Sequence, residues 1–171
     1  MKDLKDIIRD VENFPKQGII FKDITPLLGD GKYFNKMIKM FIESVKDLKI
    51  DKVLGAEARG FIIAAPVAYK LKAGFIPARK PRKLPYKTIS QSFNLEYGTD
   101  SFEIHTDAIK PGENILILDD VLATGGTAEA LVKLVETLGG NVIGLRFLIE
   151  LSFLKGLDKL QKYNVKSLIK Y

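Results

Sequence analysis

The sequence predicts an α/β fold: a central, mostly parallel sheet flanked by helices. Short apolar runs alternate with helical patterns from Val53 onward, which is how parallel strands and their crossover helices read along a chain. Ile115, Leu116, Ile117 and Leu118 form an unbroken apolar run, as expected of a strand covered on both faces. Asp119 and Asp120 are expected to end it, and a glycine loop, Ala123-Thr124-Gly125-Gly126-Thr127, then opens a helix. Strand, glycine loop and helix N-terminus together place ligand-binding groups at the carboxyl edge of such a sheet.

Taken in order, Leu4, Ile7, Ile8 and Val11 recur at helical spacing and predict a short helix from about Asp3 to Glu12. Pro15 and Gly18 end it, Ile19 to Phe21 reads as a brief strand, and Thr25-Pro26 caps a helical turn. Phe34, Met37, Ile38, Phe41, Ile42 and Val45 mark one face of a long helix over Gly31–Leu48. Val53 to Gly55 is a buried strand, Phe61 to Leu71 a helix containing Pro66, and Ala73 to Ala78 another strand. Residues 79–100 are mostly polar and unperiodic, with Arg79, Lys80, Arg82, Lys83 and Lys87 close together; a long loop of this kind in a compact domain is usually functional or disordered. Within and after it, alternation around Ser90, Ser92 and Asn94 and again around Phe102 and Ile104 predicts a β-hairpin turning near Gly98. The helix after Thr127 stops at Gly139-Gly140, Asn141 to Ile149 is a buried strand, Phe153 to Tyr163 a helix, and Val165 to Ile169 a final edge strand. No repeat or linker divides the chain, so a single domain over 1–171 is expected.

Composition narrows the function. With 171 residues, 46% of them hydrophobic and 28% charged, the chain is of ordinary globular make-up. It has no cysteine, which excludes disulfides and thiolate metal sites. MKDLKDIIRD is too charged for a signal peptide, and no apolar run approaches the ~20 residues of a membrane span, so a cytoplasmic protein with no membrane partner is expected. The net charge of +6 suits nucleic acid or a site that gathers polyphosphates, and alone does not choose between them.

The chemistry of the glycine loop does choose. Glycines allow several N–H groups to converge on an anion at a helix N-terminus, Thr124 and Thr127 add hydroxyl donors, and Asp119 and Asp120 offer acceptors where a ribose would present its hydroxyls. The ligand implied is a sugar phosphate. No lysine follows the second glycine and no GxGxxG is present, so neither the P-loop nor the dinucleotide fingerprint applies.

The run ILILDDVLATGGT resembles the phosphoribosyl pyrophosphate (PRPP) motif of type I phosphoribosyltransferases. Three further segments resemble the adenine phosphoribosyltransferases of that family: the Phe21-Lys22-Asp23-Ile24-Thr25-Pro26 run, the Ala56-Glu57-Ala58-Arg59-Gly60 loop and Leu95-Glu96-Tyr97-Gly98. The resemblance implies transfer of a 5-phosphoribosyl group from PRPP to adenine, giving AMP and pyrophosphate. It assigns Asp119, Asp120, Ala123, Thr124, Gly125, Gly126 and Thr127 to ribose and 5′-phosphate. Ala58, Arg59, Arg79, Lys80 and Lys83 would hold the pyrophosphate, with a cis peptide at Glu57-Ala58. Residues 1–30 would form a hood whose Phe21 stacks on adenine, beside Ile20 and Lys22, with Leu151 and Ser152 as the far wall. Residues 79–100 would be the lid, carrying Tyr97 and the general acid/base Glu96. The only histidine, His105, receives no role.

The resemblance further implies Mg²⁺ bound mainly through PRPP and water rather than directly by the protein, and a homodimer whose lid residues reach across the interface. Hypoxanthine-guanine enzymes carry an acidic residue where this chain has Ala123, and an orotate enzyme would need a charged clamp near Phe21; both disfavour those bases. Nucleic-acid-binding regulators of related fold are disfavoured because Glu96 is retained.

Overall fold

The computed structural model describes residues 3–94 and 99–171, which fall into two compact units, 1–40 and 41–171. Among the described residues no helix is long and apolar enough to cross a membrane.

In the first unit, β1 (Arg9–Glu12) and β2 (Ile20–Asp23) form an antiparallel ribbon. The helix expected over Asp3–Glu12 is absent; a single 3₁₀ turn at Lys5–Ile7 precedes the strand. Opposite charges placed across the ribbon override the helical spacing. Arg9 lies opposite Asp23 and Asp10 opposite Lys22 in the register, and these pairs close as ion pairs of 2.6 and 2.7 Å. Asp23 also accepts the Thr25 N–H at 2.9 Å at the start of α1 (Thr25–Gly29). The carboxyl of Asp30 takes the Lys32 N–H at 2.8 Å and so opens α2 (Gly31–Ser44). Met37, Ile38, Phe41 and Val45 of the expected stripe are buried. From Phe41 on, the helix belongs to the second unit; it ends at Ser44 rather than Leu48, where its carbonyl accepts from that unit's buried Arg146 at 3.1 Å.

The second unit is built on a parallel sheet. β3 (Lys52–Ala56) leads through α3 (Arg59–Leu71) to β4 (Gly74–Ala78). A separate antiparallel hairpin follows, β5 (Thr88–Asn94) and β6 (Thr99–His105), with Phe93 and Phe102 stacked at 5.5 Å. The chain then returns to the sheet at β7 (Asn114–Leu122) and continues through α4 (Gly126–Thr137), β8 (Asn141–Glu150) and the edge strand β9 (Val165–Lys170). Strand order is β4-β3-β7-β8-β9, with every neighbouring pair parallel. Ile115 through Leu118 are fully buried at its centre, which explains the unbroken apolar run.

Two expectations are corrected here. β7 does not stop at Asp119: it stays paired with β8 through Leu122, opposite Glu150, because ladder bonds to a neighbouring strand continue regardless of side-chain polarity. The helix expected over Phe153–Tyr163 is replaced by two 3₁₀ turns, Ser152–Leu154 and Gly156–Leu160. Between them Lys155 sits at φ 54°, a left-handed conformation that an α-helix does not accommodate.

The strand order decides where a ligand goes. From β3 the chain winds outward to β4, and from β7 it winds the opposite way to β8 and β9. The switch lies between β3 and β7, and in such sheets the crevice at the carboxyl ends of those two strands is the binding site.

Candidate active site

Both candidate loops leave the sheet at that switch. After β3 the chain passes through a cis Glu57–Ala58 peptide, and Ala58 caps α3. The helix starts at Arg59, earlier than the expected Phe61, so Arg59 and its amide belong to the first turn. On β7 the neighbouring strand presents Asp119 and Asp120, each over 90% buried. Arg59 Nε lies 2.8 Å from Asp120 Oδ2. No N–H is aligned on that oxygen, which accepts no hydrogen bond among the described residues, so the attraction is Coulombic.

Burial pushes the Asp119 carboxyl well above the usual carboxylate range, and the negative charge of Asp120 adds to the push. Asp120 is raised as well, by burial, while Arg59 pulls it back. Asp119 Oδ1 accepts the Asp120 N–H at 2.9 Å. It also lies where Gly60 leaves room: a Cβ on Gly60 would stand 2.6 Å from Asp119 Oδ1. Glycine at 60 is what lets α3 pack onto the acidic pair.

The loop after β7 turns on Gly125, at φ 80°, which caps α4. Gly126 is the first helical residue, Thr124 is exposed, and Ala123 and Thr127 are half-buried. These residues lie at a helix N-terminus, where free amides and the dipole favour an anion.

The basic candidates separate. Arg79 Nε pairs with Glu57 Oε2 at 2.7 Å, and its Nη1 donates to the Lys83 carbonyl at 3.2 Å. Its backbone is bonded in both directions to Glu103 of β6, at 2.9 and 2.7 Å. Arg79 thus ties the loop after β3 to the hairpin. Lys80 turns instead to Asp100, with its ammonium 4.2 Å from the centre of the Phe102 ring. Lys83 is exposed. Leu151 is half-buried and donates its N–H to the Leu122 carbonyl at 2.9 Å, so it sits beside the end of β7. It also begins the following turn, whereas the Ser152 hydroxyl bonds Glu150 at 3.0 Å.

Ile20, Phe21 and Lys22 lie on β2 of the first unit. Phe21 meets Phe14 edge-on at 5.1 Å, and Ile20 is 53% exposed. Glu96 and Tyr97 lie outside the described residues. Sequence reasoning missed Glu57 as the partner of Arg79 and Asp100 as the partner of Lys80. A carboxylate close to a strand end was a signal for the first; nothing local marks the second, which depends on hairpin register.

The phosphoribosyl transferase domain family matches residues 30–170. The adenine phosphoribosyltransferase of Alkaliphilus metalliredigens is 60% identical over 164 residues, 96% of each chain. The crystal structure of adenine phosphoribosyltransferase from Thermoanaerobacter pseudethanolicus shares 53% identity and superposes with a TM-score of 0.96, covering 98% of both chains. The enzyme from Saccharomyces cerevisiae, complexed with D-2,5-dideoxy-2,5-imino-altritol 1,6-bisphosphate and adenine, shares 41% identity with a TM-score of 0.92 over 96% of each chain. On a switch-point crevice lined by an arginine, an acidic pair and a glycine loop, and on likeness along nearly its whole length, the chain belongs to the phosphoribosyl transferase family, among the adenine phosphoribosyltransferases.

Proposed function

We propose that the protein transfers the 5-phosphoribosyl group of PRPP to adenine at the β3/β7 crevice, releasing pyrophosphate and forming AMP. The observation that carries this reading is the meeting of Arg59 and Asp120 across the switch point, which sets a cation for pyrophosphate beside carboxylates for ribose. Asp120 Oδ2, buried and accepting no hydrogen bond among the described residues, is an acceptor waiting for a ribose hydroxyl. Thr124, Thr127 and the amides at the start of α4 bind the 5′-phosphate, with Ala123 leaving base selection to other residues. Ala58, Arg59, Arg79, Lys80 and Lys83 serve the pyrophosphate. For Lys80 this means exchanging Asp100 for the substrate.

Phe21, with its chain neighbours Ile20 and Lys22, is assigned to adenine, and so is Leu151. A backbone N–H and C=O at Lys22 complement adenine N1 and its 6-amino group, and hypoxanthine, which reverses both, is rejected. In the reaction N9 bonds to C1′ while the bond from C1′ to the pyrophosphate oxygen breaks, through an oxocarbenium-like centre. Glu96, with Tyr97 beside it in the sequence, accepts the proton that leaves N7 as N9 bonds to C1′. The remaining residues position the reactants and screen charge.

Two adjoining carboxylates are hard oxygen donors of the kind Mg²⁺ accepts, and that ion keeps water and substrate phosphate oxygens in its shell. We assign it mainly to PRPP and water, where it would neutralise charge on the leaving pyrophosphate.

A homodimer is supported by α3, whose Ile62 and Tyr69, two turns apart, are exposed at 44% and 78%. With no cysteine and phosphorylated substrates, the compartment we assign is the cytoplasm. The test is pyrophosphate release with PRPP, Mg²⁺ and each of adenine, hypoxanthine, guanine and orotate. Adenine alone should turn over well; an inert adenine beside an active second base would refute the assignment.

A further inference from the structure

From Ser152 to Lys159 the chain is exposed at every residue except Gly156, which is buried. Its backbone lies directly against the loop after β7. A Cβ on Gly156 would stand 2.1 Å from the Ala123 carbonyl oxygen and 2.8 Å from the Gly125 nitrogen. Reciprocally, a Cβ on Gly125 would stand 2.5 Å from the Gly156 carbonyl oxygen. The obstacles are main-chain atoms, which have no rotamer to vacate the space. Two backbones therefore meet here with no room for a side chain on either.

The segment carrying Gly156 is fixed at both ends. Leu151 N–H bonds the Leu122 carbonyl at 2.9 Å before it, and Leu160, 1% exposed, joins the hydrophobic core after it. Between these anchors Lys155 adopts φ 54° and its carbonyl accepts the Asp158 N–H at 3.1 Å. The atoms that exclude a side chain at 156 belong to the loop, not to the core.

We propose that Gly156 is a positioning residue for the phosphate loop: its bare backbone is the back wall that holds Ala123 and Gly125 in the shape that receives a 5′-phosphate. The inference rests on the assignment of residues 123–127 to that phosphate. A methyl group at 156 would drive the loop forward by on the order of 1 Å, a misplacement that can cost about a hundredfold in rate.

The test compares Gly156→Ala with wild type, Thr127→Ala and Gly140→Ala. Gly156→Ala is expected to lower kcat/KM for PRPP by roughly a hundredfold, with a raised KM for PRPP and a raised Kd for ribose 5-phosphate and KM for adenine nearly unchanged. Gly140→Ala puts its Cβ 2.9 Å from Ile109 Cγ2 and Val135 Cγ1, at the opposite edge of the sheet; it should lower Tm without moving KM for PRPP. An equal rise in KM with Gly140→Ala would overturn the proposal, since lost stability alone would then explain the effect. If Thr127→Ala raises KM for PRPP and a folded Gly156→Ala does not, the proposal fails while the loop assignment stands. If neither moves it, both fall. Hydrogen exchange on the wild type covers a Gly156→Ala that does not fold: ribose 5-phosphate should slow amides in 156–158 as well as 123–127, and protection confined to 123–127 would overturn the proposal.

Discussion

Arg59 Nε stands 2.8 Å from Asp120 Oδ2, joining the loop that follows β3 to the acidic pair on β7. The guanidinium is partly exposed and the carboxylate buried, so the arginine screens the buried charge from the side that meets solvent. Removing it with Arg59→Ala should deprive pyrophosphate of a charge-assisted contact, worth about 1.5–3 kcal/mol. The expected outcome is a roughly ten- to hundredfold loss in kcat/KM for PRPP, read by steady-state kinetics, and an unchanged value would remove Arg59 from the site.

Asp119 gives a prediction in pH. Its folded pKa is raised above the unfolded value of 3.8 by burial and by Asp120. The stability it contributes is therefore fully present below the unfolded pKa and lost as pH rises through the folded one. Asp119→Asn keeps an oxygen for the Asp120 N–H and removes the charge. Its Tm should exceed that of the wild type at pH 7 to 8, with the gap closing towards pH 4, while ribose binding and activity fall. A gap independent of pH would show that the carboxylate is not held against burial.

Glu96 is assigned the proton chemistry by its place in the LEYG run. General acid–base catalysis contributes about 10²–10⁴-fold, so Glu96→Ala should lower kcat by that order while AMP affinity, measured by calorimetry, changes little. Equal losses in both would mark Glu96 as a binding residue only.

Asp23 in the first unit is held at a pKa of about 2 by the Thr25 hydroxyl and N–H, with Arg9 adding to them. Its contribution is present above the unfolded 3.8 and lost as pH falls through about 2. Asp23→Ala should cost about 1 kcal/mol at neutral pH, the usual net worth of such a hydrogen bond. In acid unfolding followed by circular dichroism, the difference from wild type should vanish below that range.

The sequence reading succeeded where local chemistry and tertiary context agree. Ile115–Leu118 read as a doubly covered strand and is one, and Gly125-Gly126 read as a loop into a helix N-terminus and forms one. It failed at Leu4–Val11, where helical spacing also fits a strand whose partner, Ile20–Asp23, lies outside any local window. It failed again at Phe153–Tyr163, where helical periodicity concealed a left-handed Lys155 and a glycine pressed against another loop.

The kinds of groups available and their order are written locally in the chain: a buried strand, two carboxylates, a glycine loop, an arginine before a helix. Which of them meet is settled by the packed sheet. Arg59 and Asp120 come together because β3 and β7 are adjacent in the sheet, Arg79 reaches Glu57 because the backbone of β6 holds it there, and Gly156 meets Ala123 across distant stretches of chain. Periodicity and propensity act over a few residues. Strand order and backbone contact are set by burying the whole core at once, and no short stretch of sequence records that outcome.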